Sequence, residues 1–362
     1  MILLLADLHI RPNGVIYRNK PFPSGDIQYA LDQITQYIEK HSPSAVILLG
    51  DVFDTPVNTS SAISIASKMK DWPNVFFVQG QHDFSEPPWL ETLHIGTHLR
   101  GYREIDGLLF YGLDWISTDA QFYSIVAQLD SCDVFATHQV WGDFIPGSRI
   151  YLSRIQDASF RFLVSGDYHK PILTQINNYT FLSPGPPAVN SAAEDFESYV
   201  WFFDGTGFQS FPLKKRSVYR LSFSSVEEAE TFLHKHPQDS LIDSSKPGDI
   251  SKPLIHVEGP KDVCTTVAKA YPECYVLTKI VHQRDDKSEQ ERVSFTSDSS
   301  VVSLQHLFYR TFEEKYGLGN AVSTIISLMS SYTNTRQLYF KNLLDDLGNR
   351  LDDPRLRRFY ET

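Results

Sequence analysis

Five times in its first 170 residues the chain runs a short apolar, β-branched stretch into aspartate or histidine: LLLADLH, VILLGDVFD, FFVQGQHD, VFATH and FLVSGDYH. Short apolar runs bounded by turn residues read as buried strands. Their alternation with stretches of helical periodicity predicts layered α/β architecture. In such sheets ligands bind outside the carboxyl ends of the strands, so residues far apart in sequence can converge there. The residues brought to that edge are Asp7, His9, Asp51, Asp54, Gln81, His82, Asp83, His138, Asp167 and His169. A Gly-Asp pair after a strand is by itself only a turn signal, and a single strand-end histidine is an ordinary polar residue. Five such endings in a row point instead to one shared site. Side chains two positions apart on a terminating strand point the same way, so Asp7 with His9, and Asp167 with His169, are each suited to share one ion.

Strands are expected at Ile2–Ala6, Ala45–Leu49, Val75–Val78, Leu108–Leu113, Val134–Ala136 and Phe162–Val164. Ile27, Ala30, Leu31, Ile34, Tyr37 and Ile38 mark one face of a helix begun near Asp26, and Ala62–Lys70 and Ala120–Leu129 read as further helices. Asp106-Gly107 and Asp204-Gly205 suggest antiparallel hairpins. After Phe211-Pro212 the pattern changes to a smaller α/β unit. It has strands at Val218–Phe223, Leu254–Val257 and Tyr275–Val281, a helix opened by Ser225 with Glu228 three residues on, and a helix over Asp262–Ala270. The polar stretch Gln283–Arg292 reads as a solvated loop, and helices are expected from Val301 onward. The division is therefore 1–213, 214–296 and a helical tail over 297–362, consistent with two or three domains in 362 residues.

Composition excludes several classes. With 41% hydrophobic and 13% aromatic residues the chain is neither disordered nor collagen-like. Three scattered cysteines without a CxxC pair give no disulfide framework or cysteine-rich zinc site, and fit a reducing cytoplasm. No apolar run approaches the ~18 residues of a membrane span, and the opening MILLLAD lacks the basic region of a signal peptide. A formal charge of −11 argues against a polyanion-binding surface over the whole molecule. Aspartate and histidine without cysteine suit Mn²⁺, Fe²⁺ or Zn²⁺ and disfavour Ca²⁺. Two such ions about 3.5–4 Å apart would activate a water and clamp a phosphoryl oxygen.

In this order, DLH, GDVFD, GQHD, a lone strand-end His and GDYH resemble the DxH, GDxxD, GNHD, H and GHxH blocks of the calcineurin-like metallophosphoesterases, over residues 1 to about 210. Within that superfamily the chain is most similar to the nuclease subunits of SbcCD-type double-strand-break-repair complexes, particularly compact bacteriophage versions. GDVFD, the segment FLSPGPPAVNSAAEDFESYVWFFD and the small α/β unit followed by a helical tail carry that similarity. It implies a layered metallophosphoesterase β-sandwich flanked by helices, a small α/β capping or DNA-binding domain, and two divalent ions, Mn²⁺ before Mg²⁺, Fe²⁺ or Zn²⁺. Asp7, His9 and His169 would hold the first ion, Asp51 would bridge, and Gln81, His138 and Asp167 would surround the second. His82 would donate a proton to the leaving oxygen or stabilise the transition state, oriented by Asp83. Gln81 and Asp167 depart from the family's Asn and His, both at the second ion.

The implied reaction is metal-dependent exonucleolytic or endonucleolytic hydrolysis of DNA in a bacterial or phage-infected cytoplasm. Arg11, Arg18, Lys20, Arg149 and Lys170 are the candidate DNA contacts, with aromatic residues interleaved. In the tail, Leu338, Tyr339, Leu343, Leu344 and Leu347 form an apolar stripe. The resemblance implies that it docks on an SMC-like ATPase; a homodimer is also compatible. Alternative readings are a metallophosphatase or phosphodiesterase acting on nucleotides or phosphoproteins, and a weakly active scaffold with a degenerate second metal site.

Overall fold

The computed structural model describes residues 1–11, 25–56, 59–145 and 148–281, with 13–17 and 20–23 as backbone alone. Two six-stranded sheets form its centre. In spatial order the first contains Phe208–Leu213, Ser198–Phe203, Ile2–Leu5, Ala45–Leu49, Val75–Val78 and Thr97–His98; the last four run parallel. The second contains Ile172–Ile176, Tyr179–Ser183, Phe160–Gly166, Cys132–His138, Leu108–Leu113 and Gly101–Ile105, parallel through its middle.

Strand periodicity explains the layering. Ile2 and Leu4 pack with Ile47, Leu49, Val134, Ala136 and Val164 in a core between the sheets. Leu3 and Leu5 point the other way, onto Leu31, Ile34 and Ile65 of the Gly25–His41 and Ser60–Ala66 helices. Successive side chains leave opposite faces of a strand, so a sheet covered on both sides needs continuous apolar sequence. On the outer face of the second sheet, Phe135, Leu163 and Phe181 meet Phe122 of the Asp119–Ala127 helix and the buried Trp141. The result is helix, sheet, sheet, helix: the layered α/β architecture that the sequence pattern predicts, in the sandwich form that the resemblance implies. The Ile172–Ile176 and Tyr179–Ser183 hairpin was not among the expected strands; its turn places Asn177 at a φ of 46°.

A third sheet joins Val218–Ser222, Leu254–Gly259 and Tyr275–Ile280, all parallel. Its core contains Ile255, Val257, Val263, Val267 and Val276, which draws in the Lys261–Ala270 helix. Ser225 caps the Val226–Lys235 helix by accepting from the Glu228 amide at 3.3 Å. The return bond differs from the expected capping box: the Glu228 carboxylate accepts from Ser224 N, at 2.8 Å. The described residues form one compact unit. The Gln283–Arg292 stretch and the tail, including Leu338, Tyr339, Leu343, Leu344 and Leu347, lie outside the described residues. No helix among those described is long and apolar enough to cross a membrane.

Arg216 sits at the root of the third sheet and is 1% exposed. Its guanidinium donates to both oxygens of Asp26, at 2.8 and 2.6 Å, and to the carbonyls of Asp249 and Lys252. It thereby ties the Gly25–His41 helix to the segment entering the third sheet. Removing one partner of a buried pair leaves the other charge unpaired at a cost of about 3–5 kcal/mol. Arg216→Ala should therefore lower unfolding free energy in denaturant titrations by that amount, whereas Arg216→Met combined with Asp26→Leu should recover most of it.

Candidate metal centre

Parallel pairing sends the carboxyl ends of Ile2–Leu5, Ala45–Leu49 and Val75–Val78 to one edge, and those of Cys132–His138 and Phe160–Gly166 to the matching edge of the second sheet. Past the strand ends the first two loops remain paired: Asp7 N donates to Gly50 O at 3.2 Å and His9 N to Asp51 O at 2.9 Å. Asp7, His9, Asp51 and Asp167 have φ values of 55°, 43°, 49° and 78°. Asp and His tolerate this left-handed region better than most residues, and such conformations concentrate at functional sites. The turn conformation, held by the ladder, aims the four side chains inward.

Asp51 is central. Its Oδ1 accepts from the His82 amide at 2.9 Å, while Oδ2 lies 3.8 Å from His9 Nε2 and 3.3 Å from His138 Nε2. Gly80 makes room for it, because a Cβ there would fall 2.0 Å from Asp51 Oδ1. Around this carboxylate, Asp7, His9 and His169 form one potential ligand group, and Asp7, Asp51 and His138 another. His9 Nε2 and His169 Nε2 are 3.2 Å apart, which suits two ligands of one ion with bonds of ~2.0–2.1 Å each.

The imidazoles are held from behind. His9 Nδ1 faces Asp54 Oδ1 at 3.1 Å, His169 Nδ1 faces Glu194 Oε1 at 2.7 Å, and His138 Nδ1 meets the Leu49 carbonyl at 2.7 Å. A ring nitrogen engaged in this way leaves the other to ligate and fixes its direction. Three buried polar atoms at the site have no hydrogen-bond partner: Asp7 Oδ2, Gln81 Oε1 and His138 Nε2. Buried lone pairs are costly unless satisfied. Their direction beside Asp51, with nitrogen and oxygen donors and no sulfur, fits divalent cations.

The electrostatics agree. Burial opposes charging of His138, but Asp51, Asp7 and Asp167 outweigh it and raise the imidazole to about 10. Burial likewise opposes charging of His169, which Glu194 and Asp7 raise to about 9. Burial would lift Asp51, yet His138 and His9 hold it down at about 2. In the metal-free chain protons thus partly replace the cations that the carboxylates call for.

Other expected residues fall differently. Asp83 does not orient His82. Its buried carboxylate accepts from Val52 N at 2.8 Å and Gly80 N at 2.9 Å, stapling two loops, and burial followed by Asp51 raises it to about 6. His82 Nδ1 instead faces the Asp54 carbonyl at 3.3 Å. Its ring is 46% exposed, with Nε2 4.0 Å from Asp51 Oδ2. Gln81 Nε2 donates to Asp167 Oδ1. Arg11 lines the cleft and donates to Asp54, at 3.2 Å, and to the Asn190 carbonyl, at 3.0 Å. Lys170 is exposed and lines the cleft over the cluster, ≈ 820 Å³ in volume. Arg149 is exposed but does not line it. Arg18 lies outside the described residues, and Lys20 is described only as part of the Lys20–Pro23 strand. Glu194 and the supporting role of Asp54 were missed from sequence. GDVFD already contained Asp54, whereas Glu194 sits in a segment without periodicity.

Metal uptake requires neutral imidazoles, so binding should release protons at pH 7 and tighten as pH rises toward about 9 and about 10. Titration calorimetry in buffers of different ionisation enthalpy measures the release. In the metal-free chain the sign for stability is opposite: the imidazolium contribution is complete below pH 6.5 and is lost as pH rises through those folded values. Separately, Gly80→Ala should displace Asp51 and lower bound metal, measured by elemental analysis after desalting.

The calcineurin-like phosphoesterase family profile matches residues 1–171. A component of the nuclease SbcCD from Staphylococcus epidermidis, the SbcD chain, is 26% identical over 147 residues, which covers 36% of this chain and 38% of that protein's length. Among solved structures, a novel archaeal phosphodiesterase aligns with a TM-score of 0.36 and 13% identity over 59% of this chain and 99% of its own. A dimetal phosphatase from Danio rerio aligns with a TM-score of 0.39 and 11% identity over 59% of this chain and 98% of its own. The ordered strand-end motifs and the matching profile identify residues 1–171 as a calcineurin-like metallophosphoesterase domain.

Proposed function

We propose that the chain is a metal-dependent nuclease that hydrolyses DNA phosphodiesters. The observation that carries this reading is the cleft at Asp51, lined by Gln81, exposed Lys170 and half-exposed His82, with the buried Asp7 Oδ2 and Gln81 Oε1 unpartnered and His138 Nε2 facing Asp51 at 3.3 Å. Such a cleft can admit a polymer backbone. The partial match to a protein named as part of a nuclease adds support for DNA over a small phosphomonoester.

In this reading Asp7, His9, His169 and Asp51 hold one ion, and Asp51, His138, Gln81 and Asp167 the other. When bound, two divalent ions supply Lewis acidity and an activated water. The chain's own residues do the rest. Asp54 and Glu194 keep His9 and His169 in ligating orientation. His82, with Nδ1 against the Asp54 carbonyl, presents Nε2 to the cleft and delivers a proton to the leaving oxygen. Lys170 contacts phosphate. Tyr168 lines the cleft and stacks on Phe144 at 4.8 Å, offering a fixed aromatic surface to a base. Asp83 acts by holding the loops that carry Asp51 and Gln81.

The remaining assignments extend this reading. Residues 214–296 serve as a capping and DNA-contacting unit, and within the described residues Arg216 ties its start to Asp26. The stripe from Leu338 to Leu347 docks the chain on an SMC-like ATPase, alone or as a homodimer, in the cytoplasm. Mn²⁺ is the ion expected to support the highest activity.

His82→Ala should reduce Mn²⁺-dependent hydrolysis of 3′-labelled duplex DNA by about 10²–10⁴-fold while two ions per chain are retained. Loss of metal together with activity would contradict the proton-donor role. Failure of the wild-type chain to cut DNA, with or without the ATPase, while it hydrolyses a phosphomonoester would favour a phosphatase.

A further inference from the structure

The two halves of the cluster offer different chemistry. On one side His9 Nε2 and His169 Nε2 face each other at 3.2 Å, grouped with the Asp7 carboxylate, and Asp51 Oδ2 lies 3.8 Å from His9 Nε2. That set is two nitrogens and two oxygens. Carboxylates behind both rings, Asp54 and Glu194, make the nitrogens better donors. On the other side only His138 contributes nitrogen. Its Nε2 lies 3.3 Å from Asp51 Oδ2 and 3.8 Å from Asp167 Oδ1. Gln81 adds an amide whose Nε2 bonds Asp167 Oδ1 and whose buried Oε1 has no partner.

The Gln81–Asp167 bond joins the two positions that depart from the family pattern. Gln is one methylene longer than Asn, and here its amide nitrogen reaches the Asp167 carboxylate. The amide oxygen is left free. The Asp167 backbone is fixed in turn, because its N–H donates to Asp7 Oδ1 at 3.0 Å. A histidine at 167 could not accept that amide bond through a carboxylate oxygen and would offer a softer nitrogen. The pair therefore substitutes an anionic, oxygen-rich half-site for a nitrogen-rich one.

Oxygen ligands favour harder ions such as Mg²⁺ and Mn²⁺, while imidazoles suit Zn²⁺ and Fe²⁺. We propose that the Gln81–Asp167 pair makes the two ion positions unequal, with the His138 side discriminating less in favour of Zn²⁺ over Mn²⁺ than the His9–His169 side. This inequality rests on the two-ion reading of the site.

The test is displacement of Mn²⁺ from the full chain by buffered Zn²⁺, with released Mn²⁺ read by electron paramagnetic resonance. Wild type loaded with two Mn²⁺ per chain should release them in two steps separated by at least about tenfold in free Zn²⁺. In the Gln81→Asn/Asp167→His double variant the later step should move about tenfold toward lower Zn²⁺. Asp167→Cys, which replaces one oxygen ligand by sulfur, should move it the same way and keeps the test decisive should the double variant misfold. Two bound Mn²⁺ released from wild type in a single step, or a later step unmoved in a folded variant, overturns the proposal and leaves the two-ion reading standing. Fewer than two Mn²⁺ bound to wild type overturns both.

Discussion

The Asp51 carboxylate is the point on which the site depends. One oxygen is pinned by the His82 amide, and the other faces His9 and His138, which arrive from different sheets. A bare carboxylate buried at 1% exposure is tolerated only if positive charge reaches it. The fold supplies that charge as imidazolium in the metal-free chain and has the donors to exchange protons for divalent cations. Gly80 and Asp83 are then understood through Asp51: one leaves space for its oxygen, and the other fastens the loop on which it sits.

This arrangement alters the meaning of the acidic composition. The formal −11 is uneven, with Asp51, Asp54, Asp167 and Glu194 lining one cleft and Asp7 buried near Asp51. Two divalent cations held there would offset much of that local charge where a phosphate would bind. An anionic substrate is thus compatible with an acidic chain, provided that affinity depends on metal. Of the basic residues, Arg11 and Lys170 line that cleft, and Arg11 also pairs with Asp54.

Sequence was informative where the physics is local. Strand period and flanking turn residues located the central strands, and parallel pairing then brought Asp7, His9, Asp51, Gln81, His82, His138, Asp167 and His169 to one edge. It failed where an assignment depended on loop conformation. The resemblance paired Asp83 with His82, but the loop turns its carboxylate onto the Val52 and Gly80 amides. Glu194 reaches His169 from 25 residues away through an irregular segment without periodicity. The Gln81–Asp167 pair joins residues 86 apart, and only the fold makes two separate departures from a family pattern into one interaction.

The central claim is that strand-end residues from two sheets build a two-ion centre shared by Asp51. Anomalous diffraction at the manganese edge, on crystals of the full chain grown with Mn²⁺, tests it most directly. Two peaks about 3.5–4 Å apart are expected, one among Asp7, His9 and His169 and one at His138 Nε2, with Asp51 between them. A single peak, or a peak among His9, Asp54 and His82 in place of the second position, would contradict it.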